Sequence, residues 1–192
     1  SSETRIRKSI EFSESLRFPA VTICNQNMLK KSKIQGTQAQ DYLDQLDDLK
    51  FSVAGLKNSN VPPFDIEKVV QESGHHIHEM VNQCQFTDQV CSLKNFTPAA
   101  TMSFFHGNCY TFNAGDNGSS ILRVRASGKM QSLTLRLDSE PHEYYGPFSY
   151  DATGFKIAVH NQGNHLDIEE EGYDISPGFY TSIRIKKNKV RR

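Results

Sequence analysis

Several short stretches of the chain place an apolar residue at every second position, which is the pattern of β-strands with one buried face. The clearest are residues 133–137, 155–159 and 179–185. Two further apolar stretches, residues 17–24 and 107–113, are rich in strand-favouring residue types, and each carries a cysteine. The pattern therefore predicts a β-sheet built from the start of the chain and from much of its second half.

Helical periodicity is confined to the region between these strands. Residues 38–49 carry apolar side chains at helical spacing, with aspartates on the remaining faces. Asp65 is the predicted N-cap of a second helix, whose apolar stripe runs on to Cys84, and Gly74 marks a bend or a junction of two helices within it. Residues 26–36 are rich in Lys, Asn and Gln and predict a loop. The sequence thus indicates a helical excursion from a common sheet.

Composition narrows the classes of function. Lys and Arg together number 22, as do Asp and Glu, so the formal net charge is zero. A general nucleic-acid partner requires a basic excess, and we therefore expect no nucleic acid. No uncharged apolar run approaches the roughly 20 residues that a membrane helix needs, and the polar opening residues are not a signal peptide. We expect either a mature fragment or a segment cut from a longer protein.

The four cysteines, at positions 24, 84, 91 and 109, are an even number, and four cysteines allow three pairings. No Cys-x-x-Cys spacing is present, which argues against a zinc ribbon or a thioredoxin-type site. N-glycosylation sequons begin at Asn95 and at Asn117. Paired cysteines and sequons together favour an extracellular, oxidising compartment.

The candidate for chemistry is the run His75-His76-Ile77-His78-Glu79. On a helix, His75 would share a face with His78 and with Glu79, and two imidazoles with a carboxylate can form a zinc site. The run lacks the His-Glu-x-x-His spacing, so we expect no metal and no other cofactor. Histidines at a helix start would instead titrate near pH 6.5 and tune a pH response. Neither a nucleophile elbow nor a phosphate-binding loop is present, and we expect no catalytic residue and no enzyme activity.

Two stretches, residues 18–25 (FPAVTICN) and 107–113 (GNCYTFN), resemble signatures of the degenerin/epithelial sodium channel/acid-sensing ion channel superfamily. Other motifs of that superfamily occur in order: Pro63-Phe64, Gly74-His75, Met80, Cys84-Gln85-Phe86, Cys91, residues 154–162 and residues 177–181. The resemblance covers nearly the whole chain. His106 departs from it, because many members carry an aromatic residue at that position.

The resemblance implies an α+β fold with a central, mostly antiparallel β-sheet called the palm, a β-ball and a helical finger excursion, stapled by disulfides. Its parts would be a linker after the first membrane helix (1–15), the first palm strand (16–26), the finger (27–103), a second palm strand (104–115), the β-ball (116–153) and later palm strands that lead towards a thumb (154–192). Its cysteine pairs would be Cys24–Cys109 and Cys84–Cys91.

The same resemblance points to residues that would sense a ligand or pH. Asp151 falls near a palm-strand entrance where acid-sensing relatives carry acidic groups. The candidate sensing residues are therefore His75, His78, Glu79 and Asp151.

The function that the resemblance implies is that of the extracellular, ligand-sensing region of a trimeric, amiloride-sensitive sodium channel. The chain would be a soluble, glycosylated ectodomain on the outer face of the plasma membrane, in a homo- or heterotrimer whose membrane helices conduct sodium ions. A neuropeptide is the favoured agonist, and a proton is the alternative. Two hypotheses of other classes stay open. One is a secreted, disulfide-bonded binding domain without a pore, and the other is a zinc-dependent enzyme using His75, His78 and Glu79.

Overall fold

The computed structural model of the chain describes residues 15–48, 65–99, 106–116, 118–125, 128–146 and 153–186. Within these residues the protein has an α+β fold, its strand pairs are antiparallel, and two disulfides link its elements. The predicted fold class is confirmed. Among the described helices, none combines the length and the apolar character that spanning a bilayer requires.

A five-stranded sheet forms the centre of the fold. Its order is β10 (Tyr173–Ile175), β9 (Phe155–His160), β2 (Ala20–Asn25), β6 (Cys109–Phe112) and β5 (Phe96–Pro98). The middle strand, β2, has all six residues buried. Its buried Thr22 satisfies its hydroxyl by a 2.7 Å hydrogen bond with Thr111 on β6. Pro19 lies just before β2, where its missing N–H removes no hydrogen bond from the strand ladder.

Cys24 and Cys109 face each other across β2 and β6 and form a disulfide, with their Cα atoms 4.4 Å apart. This pair is one of the two that the resemblance implies. The bridge joins positions 85 residues apart, so it closes the helical region into a loop that is anchored on the sheet. The loop-entropy model attributes about 4–5 kcal/mol of stabilisation to a bridge over a loop of this length.

A three-stranded sheet packs against the first. Its order is β4 (Gln89–Val90), β3 (Val81–Phe86) and β8 (Leu133–Leu137). The ring of Phe86 on β3 lies 4.9 Å from that of Phe18 and 5.7 Å from that of Phe112, measured between ring centroids. These aromatic pairs join the two sheets in one apolar cluster. The second disulfide, Cys84–Cys91, ties β3 to the segment after β4.

A third sheet has two short strands, and the helices of the described residues are also short. The remaining strands are β1 (Leu16–Arg17) and β7 (Arg123–Val124). The helices are α1 (Lys31–Ile34), α2 (Gln38–Asp48), α3 (Ile66–Ser73), α4 (Ile77–Met80) and α5 (Ile168–Glu171), with 3-10 turns at Leu93–Asn95, Lys129–Gln131 and Pro141–Glu143.

The start and end of α3 agree with the sequence. Asp65 caps it as predicted, because its carboxylate accepts a hydrogen bond from the Lys68 backbone N–H at 3.0 Å. Gly74 follows the last residue of α3, which confirms the predicted break. The predicted loop over residues 26–36, by contrast, contains α1. Ile34 explains this helix, since its side chain is buried with other apolar residues.

Two predicted elements are wrong. The second helix does not run on to Cys84: α4 ends at Met80, and β3 begins at Val81 because β8 supplies a pairing partner. Residues 179–185 form no strand, since Phe179 and Tyr180 are 79% and 86% exposed and the described sheet ends at β10. The range predicted as the finger, residues 27–103, contains the strands β3, β4 and β5 as well as helices.

We expect the long bridge to stabilise the fold more than the short one. Replacing both Cys24 and Cys109 by alanine should cost the full-length protein about 4–5 kcal/mol, because the unfolded chain regains the freedom of a long loop. The matched control replaces Cys84 and Cys91, whose positions differ by only 7 residues, and should cost about 2–3 kcal/mol. Denaturation followed by circular dichroism measures both losses. Equal losses from the two double variants would contradict the expectation.

Candidate functional site

A buried lysine lies at the centre of a polar network that joins the helical segment, meaning helices α1 to α4, to the residues that follow β2 and β8. The side chain of Lys30 is 7% exposed, and its amino group lies 2.9 Å from Glu79 Oε1 and 2.9 Å from Glu140 Oε1. The backbone of Lys30 is fixed as well. Its N–H donates to the Ser73 carbonyl at 2.8 Å, and the residue forms an isolated β-bridge with Tyr144. A buried ammonium group requires such partners, because it has lost its water.

Local structure aims the two carboxylates at this lysine. Glu79 lies in the first turn of α4, where its Oε2 accepts a hydrogen bond from the His76 backbone N–H at 3.2 Å. That bond closes a capping box and leaves Oε1 for Lys30. Glu140 precedes a 3-10 turn in the left-handed backbone region, with φ 50° and ψ 52°. Asp138 supports this unfavourable conformation by accepting the Glu140 N–H at 2.9 Å.

His75 completes the network. Its side chain is 1% exposed, and its Nδ1 lies 2.9 Å from the second carboxylate oxygen of Glu140. Its Nε2 lies 2.9 Å from Asn27 Oδ1. The orientation of the Asn27 amide follows from its other contact, because Asn27 Nδ2 donates to the Tyr145 carbonyl at 3.1 Å. Both ring nitrogens of His75 therefore face oxygen atoms.

Burial and the neighbouring charges set the protonation states. Desolvation lowers the pKa of His75 below its ordinary 6.5, although attraction by Glu140 opposes the shift. Desolvation also opposes the charge on Lys30, but contacts with Glu140 and Glu79 outweigh it and raise the pKa of Lys30. Burial likewise opposes the charge on Glu79, yet Lys30 and the His76 N–H lower the pKa of Glu79. At neutral pH the network thus contains the Lys30 ammonium, the Glu79 carboxylate and an uncharged His75 imidazole.

This arrangement can take up a proton. A neutral imidazole donates to only one partner, so one nitrogen of His75 faces an oxygen without a hydrogen between them. An added proton would complete the second hydrogen bond and cancel the excess negative charge of the network. The cost of that proton is desolvation, which favours arrangements in which His75 reaches water.

A second buried histidine lies near the same end of β2. His106 Nδ1 lies 2.8 Å from Glu169 Oε1, and desolvation lowers the pKa of His106 in spite of this carboxylate. The Lys156 amino group lies 3.7 Å from Glu169 and 3.6 Å from Asp174, and Gln26 donates to Asp174 at 3.0 Å. These five residues line a cleft of about 320 Å³. Gln26 is the neighbour of Asn27, so consecutive residues connect the two histidine sites.

The structure brings together only some of the predicted site residues. His75 and Glu79 both belong to the network around Lys30, whereas His78 is exposed, with its ring stacked at a centroid distance of 5.8 Å on that of His76. Asp151 lies outside the described residues. In the described ranges no three His, Cys, Asp or Glu side chains are grouped to hold a metal ion, so the zinc set of His75, His78 and Glu79 is not assembled.

Sequence reasoning missed Lys30, Asn27, Glu140 and His106. Lys30 contacts Glu140 across 110 positions and Glu79 across 49, and no local periodicity encodes such contacts. One signal was present for His106, because a histidine stands there where many members of the resembled superfamily have an aromatic residue. The missed residues thus owe their role to tertiary contacts.

The chain is similar to a known protein family and to several individual proteins. The model of the family described as amiloride-sensitive sodium channel matches residues 2–192. Acid-sensing ion channel 1 of Gallus gallus is 30% identical, over 91% of this chain and 37% of that protein. Acid-sensing ion channel 4-B of Danio rerio is 32% identical, over 94% and 33%. Acid-sensing ion channel 2 of Homo sapiens is 27% identical, over 92% and 39%. The chain spans between a third and two fifths of the length of these relatives.

We expect Lys30→Met to destabilise the full-length protein by about 3 kcal/mol at neutral pH, because it leaves two carboxylates without their cation in a buried site. Carboxylates without a nearby cation protonate more readily, so the loss should shrink as the pH falls towards 5. Urea denaturation at several pH values measures both effects.

The matched control is Lys68→Met. Lys68 and Glu72 form an exposed pair on α3 with 3.9 Å between the charged atoms, and its loss should cost less than about 0.5 kcal/mol. The ionic interpretation would be wrong if the two variants lost similar unfolding free energies. It would also be wrong if the loss caused by Lys30→Met did not change with pH.

Proposed function

Because this chain belongs to the amiloride-sensitive sodium channel family, we propose that it forms an extracellular part of a proton-gated sodium channel. The observation that carries the proposal is the nearly complete burial of His75, between Glu140 and Asn27, in a network drawn from three separate chain segments. The relatives support it, since those reported above are named acid-sensing ion channels. An enzyme and a secreted binding domain without a pore are less consistent with this family.

The direction of the proton effect follows from the pKa of His75. This pKa is lower in the buried arrangement than the ordinary 6.5, so protons bind better to any conformation that exposes the ring. The stability that the neutral ring provides is fully present above pH 6.5 and is lost as the pH falls through the lowered value. Acid therefore shifts the population away from the buried arrangement. A pKa difference of one unit between two conformations corresponds to about a tenfold shift.

The groups that face His75 determine which segments would move when the ring is protonated. Glu140 and Tyr144 face it from the segment after β8, and Lys30 and Asn27 from the segment after β2. Glu79 on α4 adds a weaker attraction. Opening this contact would release the turn between α3 and α4 from the segments that follow β2 and β8. We infer that this release is the extracellular step that leads to gating in a sodium-conducting trimer on the outer face of the plasma membrane.

Other parts of the proposal rest on the family alone. The five-stranded sheet would be the palm, residues 27–103 the finger and residues 116–153 the β-ball. Asp151 and His78 remain predicted sensing residues. A neuropeptide agonist is the weaker alternative, because no contact among the described residues favours a peptide and the relatives carry the names of acid sensors.

We expect His75→Gln to shift half-maximal acid activation of the full-length channel towards more acidic pH, by about half a unit. Glutamine keeps a polar side chain but binds no proton at this position. Acid therefore shifts the equilibrium away from the buried arrangement less strongly. Whole-cell current recorded during steps of decreasing pH measures the shift.

The matched control is His165→Gln, because His165 is exposed in the loop before α5. This variant should activate at the same pH as the unmodified channel. A channel that ignores acid but opens to an amidated neuropeptide would overturn proton gating and restore the peptide alternative. An acid response that His75→Gln leaves unchanged would keep the channel class but remove His75 from the mechanism.

A further inference from the structure

We propose that Asn95 carries an N-linked glycan, which stands over a surface trough at the edge of the five-stranded sheet. The sequon Asn95-Phe96-Thr97 runs from a 3-10 turn into β5, and β5 ends the described sheet on that side. The inference requires passage through an oxidising secretory compartment, which the two disulfides support. It does not require proton gating.

The Asn95 side chain is exposed, and its oxygen and nitrogen atoms differ in their hydrogen bonding. Its Oδ1 accepts a hydrogen bond from the Ser92 N–H at 3.0 Å and so caps the 3-10 turn. Its Nδ2 makes no hydrogen bond to a residue in the described part of the chain. The sugar attaches to Nδ2, so a glycan leaves the capping bond intact.

Thr97 provides an independent observation. Its hydroxyl oxygen is buried and has no hydrogen-bond partner. Among the described residues, no other buried side-chain nitrogen or oxygen atom lacks such a partner. Such a group destabilises a fold, and a valine would occupy the same space without that cost. Folding therefore does not explain the hydroxyl, whereas glycosylation does, because the transferase recognises it on the unfolded chain.

The second sequon shows a contrast. The Ser119 hydroxyl donates to the Asp116 carbonyl at 2.7 Å and closes a turn, so the folded structure uses it. Asn117 itself lies outside the described residues. Of the two sequon hydroxyls, only that of Thr97 lacks a hydrogen-bond partner within the described residues.

The surface beside Asn95 suits a sugar. A trough of about 390 Å³ adjoins it, and its lining includes the polar side chains of Lys94, Asp116 and Ser119 beside apolar groups such as Leu122. Hydroxyl and acetamide groups of N-acetylglucosamine find donors and acceptors there. A glycan at this position would also shield β5, since an exposed edge strand can otherwise pair with another chain.

The chemistry needs one co-substrate, a lipid-linked oligosaccharide diphosphate. Asn95 Nδ2 attacks the anomeric carbon of its first sugar, and the bond from that carbon to the diphosphate oxygen breaks. The amide loses one proton, and the lipid diphosphate leaves with the electron pair of the broken bond.

Mass spectrometry of the full-length protein tests the proposal. Protein labelled at the surface of animal cells is purified and deglycosylated by a peptide amidase in heavy-oxygen water, which converts each glycosylated asparagine into labelled aspartate. Trypsin releases residues 95–123, which contain both sequons, and fragmentation locates the label. A label at Asn95 is expected. Surface protein with unlabelled asparagine at this position would overturn the proposal.

Three variants separate glycosylation from folding. Asn95→Asp keeps an oxygen for the Ser92 cap but lacks the attachment nitrogen, and Thr97→Val removes the hydroxyl at constant shape. Both should lose one glycan in a gel-mobility assay, and Thr97→Val should melt no lower than the unmodified protein. Thr97→Ser should keep the glycan, because serine still completes the sequon. Unchanged mobility of Asn95→Asp and Thr97→Val would refute an Asn95 glycan.

Discussion

The cost of burying the Lys30 ammonium group constrains the arrangement of the whole molecule. The group can leave water only if Glu79 and Glu140 both reach it, and these carboxylates come from α4 and from the turn after β8. The segment after β2, the helical segment and the second sheet must therefore meet in one geometry. Buried ion pairs add little net stability on average, but they penalise every arrangement that leaves a charge alone. For this fold we regard the network as a specificity device.

Local features of the fold could be predicted from the sequence because local forces determine them. Alternating leucines located β8, Asp65 and Gly74 marked the bounds of α3, and residues 38–49 correspond to α2. The failures also have physical causes. Val81 and Cys84 fit a helical spacing as well as a strand, and the pairing with β8 decides between them. Residues 179–185 alternate, but an alternating pattern forms a strand only where another strand pairs with it.

The candidate site was predictable only in part, for the same reason. The histidine run revealed His75 and Glu79, since titratable residues cluster there in the sequence itself. It did not reveal that His75 is buried whereas His78 remains outside the network. Lys30, Asn27 and Glu140 are unremarkable in isolation, and their chemistry arises from contacts between distant positions. His106 and Glu169 form a second pair of a buried histidine and a carboxylate near the same end of β2.

The bridge between Cys24 and Cys109 also changes the topology of the polypeptide. It converts the chain between these two residues into a covalent ring, whose ends meet on neighbouring strands of the sheet. A protease that cut one peptide bond inside the ring would open it without releasing a fragment. A cut inside the helical segment therefore leaves both ends of the ring registered on the same pair of strands.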